Sequence, residues 1–466
     1  MNKCFIITFL FSLLNINLYS QNTVIEGVAP GAEFLKINLY TYTDFISEIP
    51  VKISETTADS IGKFRFNFYL NQTIYAWIQI QNIKGDIYLE PGKTYYLTID
   101  KFNFKEDIKE SPFLTKYKLD FNWINSDTSN INIVISDINK EYNDFILNYY
   151  NTLYVSRNKS VLDTLKKNLN SITYNSNNFI KNYAKYKIAT LEQSGNLKNK
   201  KKLFAEYIYN KPVLYSNIEY MYFFNQYYEK FFFNGNHNLK RDNLESFINR
   251  DKNYNAILDS LGRDSLVKNE IIRELVFLKG MKELFYYKQF NSDNIIDILN
   301  RFLTKTKFKE HKAIAQNLIV DFKKLKPGTK APSFKLKSIN NGIYSLDNFL
   351  GKYTYISFIT SWCAGCLPEM QVIKELEKKY GDKINFVTIS GDKQEMNVYY
   401  YVQKNKYNWP FLLALSDYDV LEKYDVKTYP IFLLIDESGN IVDYPALKPS
   451  QGIEMRFKQL LSKNSF

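Results

Sequence analysis

Cysteine is scarce in this sequence, with three in 466 residues at positions 4, 363 and 366. That count excludes a disulfide-stapled scaffold, which needs several pairs. Histidine is scarcer still. His237 and His311 stand far apart with no second ligand at metal spacing, so both are read as incidental and no metal site is assigned. Glycine-rich phosphate loops and helicase-like patterns are also missing. Only one apolar run is prominent, from Phe5 to Leu14, and it is too short to span a bilayer as an anchor.

That run belongs to MNKCFIITFLFSLLNINLYSQ, in which Lys3 precedes the apolar stretch and a polar exit holds Ser20. The pattern predicts a signal peptide over residues 1–20, cut after Ser20, although Leu18 is larger than the usual residue before such a cut. The mature chain is therefore expected to be exported, to the periplasm or cell envelope, with no transmembrane segment. Cys4 leaves with the signal, so the mature protein keeps one pair, Cys363 and Cys366. Closing so short a ring removes little unfolded-chain entropy, which makes redox chemistry the better reason for the pair.

Charge invites a different reading, since the formal net charge is +12. Yet from Pro327 onward 17 Lys and Arg face 15 Asp and Glu, so the excess lies upstream of the cysteines. Its densest run, LKNKKKLF at Leu197 to Phe204, reads as a solvated helix start, and the abundance of Lys, Asn, Ile, Tyr and Phe reads as compositional bias. Nucleic acid is not expected as a partner.

The length exceeds one ordinary core, since domains cluster near roughly 100–150 residues. Three zones follow the signal. Residues 21–104 read as an antiparallel β-sandwich, because GKFRFNFYL alternates Phe64, Phe66 and Phe68, and AWIQIQN and TYYLTI repeat that period of two. Its pattern resembles small β domains of unknown function that precede redox domains in exported proteins of Bacteroidetes-type bacteria. Residues 105–326 turn to helical periodicity, as in SLVKNEIIRELVFLKGMKELFYY, and predict an all-α bundle of about eight helices. LKPGTKAPSF ends that period. Residues 327–466 then read as a hairpin, a buried strand, the cysteine pair opening a helix, a strand, a helix and short strand, a short helix, two paired strands and a last helix. Without the hairpin and the helix-plus-strand insert, this is α/β thioredoxin topology.

The pair falls where the buried strand hands over to a helix. A thiol there faces free backbone N–H groups and the positive end of the helix dipole, which favour the thiolate. Cys363 is thus the predicted nucleophile. Cys366, one turn in and beneath it, is placed to attack the mixed disulfide that Cys363 forms.

Five motifs in order carry a resemblance: A-P-x-F at Ala331, L-x-x-F-x-G-K from Leu346 to Lys352, W-C-x-x-C at Trp362, Glu369, and Y-D-V-x-x-Y-P-x-x-x-x-I-D-x-x-G from Tyr424 to Gly439. Residues 327–466 resemble an exported thioredoxin-like domain of the TlpA/ResA type of thiol:disulfide oxidoreductase. The resemblance implies that Trp362 flanks the nucleophile, that Pro430 is a cis proline beside the disulfide, and that Tyr429 offers backbone hydrogen bonds to an extended substrate segment. It also implies that Glu369 tunes the thiols and passes protons. Ser357 stands where ordinary thioredoxins carry their buried acid, which leaves Glu369 as the acid–base candidate.

Three departures from the family stand out. The dipeptide Ala364-Gly365 lacks the proline often found before the second cysteine, so the redox potential is not legible. Gln371 occupies the place of a helix-kinking proline, while Pro368 falls in the first helical turn, where a missing N–H is harmless. Tyr429 is bulkier than the usual Thr or Val and is expected to narrow the substrate groove. The expected function is exchange with disulfides of protein partners, modestly favoured as reduction, with no bound cofactor and re-reduction by a membrane-borne thiol donor. Two alternatives stay open: a thiol peroxidase, suggested by T-S-W-C at Thr360 although Ile356 replaces that family's proline, and a non-catalytic scaffold. The residues upstream of the thioredoxin-like unit are expected to choose or position the partner.

Overall fold

The computed structural model describes residues 20–463 apart from 82, 102–117, 125–129, 236–238 and 417–418. The predicted signal segment up to residue 19, with Cys4, and also His237, lie outside the described residues. Among the described residues no helix is long and apolar enough to cross a membrane.

Eight strands open the fold: β1 (Gln21–Val28), β2 (Lys36–Tyr42), β3 (Pro50–Thr57), β4 (Lys63–Leu70), β5 (Ile74–Ile80), β6 (Ile83–Leu89), β7 (Thr94–Ile99) and β8 (Phe121–Trp123). They form two four-stranded sheets, ordered β4-β1-β7-β8 and β3-β2-β5-β6. Strand β4 buries Phe64, Phe66, Phe68 and Leu70 and exposes the residues between, as the alternation requires. Each such phenylalanine contributes about 1.5–3 kcal/mol by leaving water. The expectation of a wholly antiparallel sandwich needs one correction. β1 and β7 run parallel, because β7 returns from the second sheet in the direction in which β1 left. The first sheet also extends beyond residue 104, where β8 pairs with β7.

Ten α-helices follow among the described residues: α1 (Ile131–Tyr150), α2 (Leu162–Ile172), α3 (Asn178–Ser194), α4 (Lys200–Tyr207), α5 (Ile218–Tyr227), α6 (Arg241–Asn249), α7 (Tyr254–Gly262), α8 (Glu270–Phe285), α9 (Ser292–Lys305) and α10 (Lys309–Lys323). Seven of the ten begin at an asparagine whose side chain accepts a backbone N–H of the first turn, at residues 130, 177, 199, 217, 253, 269 and 291. Free N–H groups at a helix start need such an acceptor, so asparagine has structural work in this chain. Helices α1 to α3 share one apolar core with the β-sandwich, while the later helices build a second core around Phe223, Phe277 and Leu299. His311 lies wholly inside that second core, with Nδ1 2.8 Å from the Glu274 carboxylate and Nε2 2.8 Å from the Tyr215 hydroxyl. The run at Leu197 to Phe204 does start a helix, but not all its lysines are solvated. Lys198 bridges Glu192 and Glu206, each at 2.6 Å, and Lys200 lies over the rings of Tyr227 and Phe231.

The last unit contains β9 (Lys335–Ser338), β10 (Ile343–Ser345), β11 (Tyr353–Ile359), α11 (Cys366–Tyr380), β12 (Ile384–Ser390), α12 (Glu395–Asn405), β13 (Phe411–Leu413), α13 (Asp419–Lys423), β14 (Ile431–Ile435), β15 (Ile441–Asp443) and α14 (Ile453–Lys463). Its seven strands run β10-β9-β13-β12-β11-β14-β15. β11 pairs in parallel with β12 and antiparallel with β14. All seven residues of β11 are buried, because apolar layers cover both faces of the sheet. The protein is therefore multidomain, with an N-terminal β-sandwich, a central all-α region and a C-terminal α/β unit of thioredoxin topology.

Helix α13 is where the last unit meets the first. Tyr40 donates its hydroxyl to Asp419 at 2.7 Å, Lys52 lies 3.0 Å from the same carboxylate, and Lys84 lies 3.1 Å from Glu422. Lys324, just past α10, donates to the Glu422 carbonyl at 3.0 Å. Burial would push the Asp419 carboxyl up, but the hydrogen bonds from Tyr40 and Lys52, with the charges of Lys52 and Lys423, hold it below its ordinary value. A depressed carboxylate supports docking above its undocked pKa of about 3.9, and that support fades as pH falls through the depressed value. Small-angle scattering should therefore show a radius of gyration that is steady between about pH 7 and 5 and rises below about 4. Asp419→Ala should be looser already at neutral pH and should lose part of that acid step.

Candidate redox site

The site is built at the carboxyl end of β11. This strand is central and apolar, so it ends where the chain must leave the sheet, and Thr360 to Gly365 form that exit. Cys363 donates its N–H to the Thr360 carbonyl at 3.1 Å, and Cys366 donates to the Cys363 carbonyl at 3.0 Å. Two successive tight turns thus lead into α11, which starts at Cys366 with Gly365 as its cap and no side chain accepting there. Pro368 is the third helical residue, where its missing N–H costs nothing.

The two cysteines are joined by a disulfide with Cα atoms 5.3 Å apart. Their surroundings differ. Cys366 is fully buried beside Met370 and Phe432, whereas Cys363 is half-buried and next to Trp362, which is 55% exposed. A partner arriving from solvent therefore meets Cys363 first.

Tyr429 and Pro430 stand immediately before β14, the neighbour of β11, and the peptide bond between them is cis. The Tyr429 ring packs edge-on against Trp362, with centroids 6.5 Å apart. Its hydroxyl reaches the far side of the β11 exit. A Cβ on Gly391, which follows β12, would come within 1.9 Å of the Tyr429 hydroxyl oxygen. Since β12 and β14 flank β11 on opposite sides, the phenol spans the top of the exit chain. Only glycine leaves room for it at 391.

Glu369 is buried one turn beyond Cys366 and faces away from solvent. Its two oxygens accept from the Ser450 N–H at 2.9 Å and the Ser450 hydroxyl at 2.7 Å, which ties α11 to the turn preceding α14. Nearby Tyr355 has its phenol pushed well up, first by burial and then by the Glu369 charge. Ser357 brings no acid to the sheet. Its hydroxyl lies 2.8 Å from that of Thr388, which in turn accepts from the Trp409 indole at 2.9 Å.

One acidic residue escaped the sequence reading. Asp392 sits just past β12, is only 2% exposed, and accepts from both the N–H and the hydroxyl of Ser361, two residues before Cys363. Burial pushes its carboxyl above the ordinary aspartate value, against the pull of hydrogen bonds from Ser361 and Ser390. An acid directly after an apolar strand, in a topology that sets this strand beside β11, is the signal that could have revealed it. Among the described residues no cluster of three histidine, cysteine or acidic side chains is arranged to hold a metal ion.

Comparison with known proteins places this part of the chain among redox proteins. The AhpC/TSA family matches residues 327–444. A thioredoxin-like protein, YneN of Bacillus subtilis, is 30% identical over 122 residues, which are 26% of this chain and 71% of that protein. The thiol-disulfide oxidoreductase ResA of Bacillus thuringiensis is 28% identical over 130 residues, or 28% of this chain and 74% of its own length. Among solved structures, the thioredoxin domain of a thiol-disulfide oxidoreductase from Bacteroides vulgatus is 25% identical and covers 29% of this chain and 98% of its own, with a TM-score of 0.28.

Proposed function

Because the chain belongs, through its C-terminal unit, to the TlpA/ResA type of thioredoxin-like proteins, we propose that it is an exported thiol–disulfide oxidoreductase acting on protein partners. One observation carries this reading: the two cysteines are joined, and one is buried while the other borders solvent beside Trp362. In the reduced protein the Cys363 thiolate attacks a partner disulfide, forms a mixed disulfide and releases one partner thiolate. Cys366 then attacks the Cys363 sulfur and releases the second. Two electrons pass to the partner, and the Cys363–Cys366 disulfide is the product.

A membrane-borne thiol donor then restores the dithiol. Trp362, Tyr429 and Pro430 form the surface against which the partner lies, and Glu369 serves the proton transfers of Cys366. The N-terminal segment supports export to the periplasm or cell envelope, and the residues between it and Pro327 choose or position the partner.

The match to the AhpC/TSA family favours a second reading, reduction of peroxides at Cys363. The test is the dithiol–disulfide equilibrium of the pair in defined thiol buffers, read by alkylation and mass. A potential near about −270 mV or below identifies a reductant, and one near about −120 mV an oxidant. A pair that neither opens nor closes overturns the proposal. Rapid peroxide consumption without exchange on a protein disulfide selects the second reading.

A further inference from the structure

Strands β11 and β12 run parallel and end together, so the segments leaving them lie side by side. Gly391 continues the ladder one step, donating its N–H to the Ile359 carbonyl at 2.8 Å. Asp392 then turns its carboxylate under the neighbouring exit. Oδ2 accepts from the Ser361 N–H at 2.7 Å and from the Ser390 hydroxyl at 2.5 Å, and Oδ1 accepts from the Ser361 hydroxyl at 2.6 Å. Burying a carboxylate is costly, and the three donors on this one offset much of that cost.

What it grips is the start of the turn that carries the nucleophile. From Ser361 the chain reaches Cys363 through Trp362 alone, and the Cys363 N–H is already tied back to Thr360. Ser361 is thus the remaining anchor point of that turn on the β12 side. Its backbone N–H and its hydroxyl both point to the same carboxylate, so neither the backbone nor the side chain can rotate without losing a bond.

We propose that Asp392 is a positioning residue for Cys363: through Ser361 it fixes the turn that presents the sulfur, at the start of α11, to an incoming disulfide. The proposal rests on the reading that Cys363 is the attacking sulfur. Asp392 touches neither sulfur nor substrate in this role. A loosened turn would let Cys363 drift from the free N–H groups of α11, which weakens their hold on the thiolate and blurs the angle of attack.

The experiment uses the full-length mature protein carrying Cys366→Ser, so that one thiol is followed. The rate of Cys363 alkylation by iodoacetamide is measured against pH, and the rate of exchange with 5,5′-dithiobis(2-nitrobenzoate) is measured at saturating pH. Asp392→Ala is expected to move the thiol midpoint up towards the free cysteine value of about 8.5 and to slow exchange about tenfold. Asp392→Asn keeps one acceptor oxygen and should stay within about threefold of the parent, with Ser361→Ala between the two.

Loss of a negative charge alone would act oppositely, lowering the midpoint by the same amount in the Asn and Ala variants. That result, or an Asp392→Ala profile equal to the parent, overturns the proposal. If Asp392→Ala does not fold, the ordering of parent, Asp392→Asn and Ser361→Ala decides. None of these readouts requires a protein substrate, so failure of the wider functional reading would show separately, as absence of exchange on protein disulfides by the parent pair.

Discussion

Serine in place of Cys363 is expected to leave the fold intact and to reduce turnover of a protein disulfide to the uncatalysed rate, a loss of several orders of magnitude. The thiolate is the nucleophile in disulfide exchange, and a serine hydroxyl is not ionised at neutral pH, so no weaker version of the step survives. Cys366 cannot take over, because it is fully buried beneath the helix start. Cys366→Ser should behave differently. It should attack once through Cys363 and stop at the mixed disulfide, since the sulfur that sits against Cys363 is gone. Insulin reduction in the presence of a thiol donor checks the first expectation, and the mass of a trapped adduct checks the second. Equal behaviour of the two variants, or turnover by Cys363→Ser, would remove the division of labour between the sulfurs.

The placement of the pair at the exit of β11, with Cys366 opening α11, was legible in the sequence because two local signals coincide: a strand-to-helix boundary and a C-x-x-C at that boundary. The alternation at Phe64, Phe66 and Phe68 was legible for the same reason, since a period of two reports a half-buried strand directly. Contacts between segments distant in the chain were not. Nothing in the local pattern around Asp392 says that it reaches Ser361, 31 residues away, because that pairing depends on β11 and β12 being neighbours in the sheet. The parallel pairing of β1 with β7 and the sharing of one core by the β-sandwich and α1 to α3 escaped for the same reason. Periodicity reports which face of an element is apolar, not which element covers it.

Composition misled in one instructive way. Asparagine looked like a by-product of compositional bias, yet seven helices begin on its side chain. Position relative to a helix start, which composition discards, separates a cap from filler. Lysine shows the same. In its densest run, Lys198 is engaged by Glu192 and Glu206 and Lys200 by two aromatic faces, so these two lysines also have structural work.

Glu369 is the residue whose two roles can be pulled apart. As a strut it accepts both hydrogen bonds offered by Ser450, so Glu369→Ala leaves a part-buried N–H and a part-buried hydroxyl without their acceptor. A loss of about 1–2 kcal/mol is expected, which lowers the melting transition of this unit by roughly 4–8 °C. As an acid–base group it should matter at one moment only, when the buried Cys366 must give up its proton to attack the mixed disulfide. Glu369→Gln keeps the shape and one acceptor oxygen, so its melting should fall by no more than a few degrees. A proton-accepting role would nevertheless lengthen the lifetime of the mixed disulfide by about tenfold or more, with the first attack by Cys363 unchanged. Quenching the reaction with acid and counting the adduct over time separates the two steps. If Glu369→Gln resolves the adduct as fast as the parent while Glu369→Ala melts early, Glu369 is a strut between α11 and Ser450 and the proton leaves Cys366 by another route.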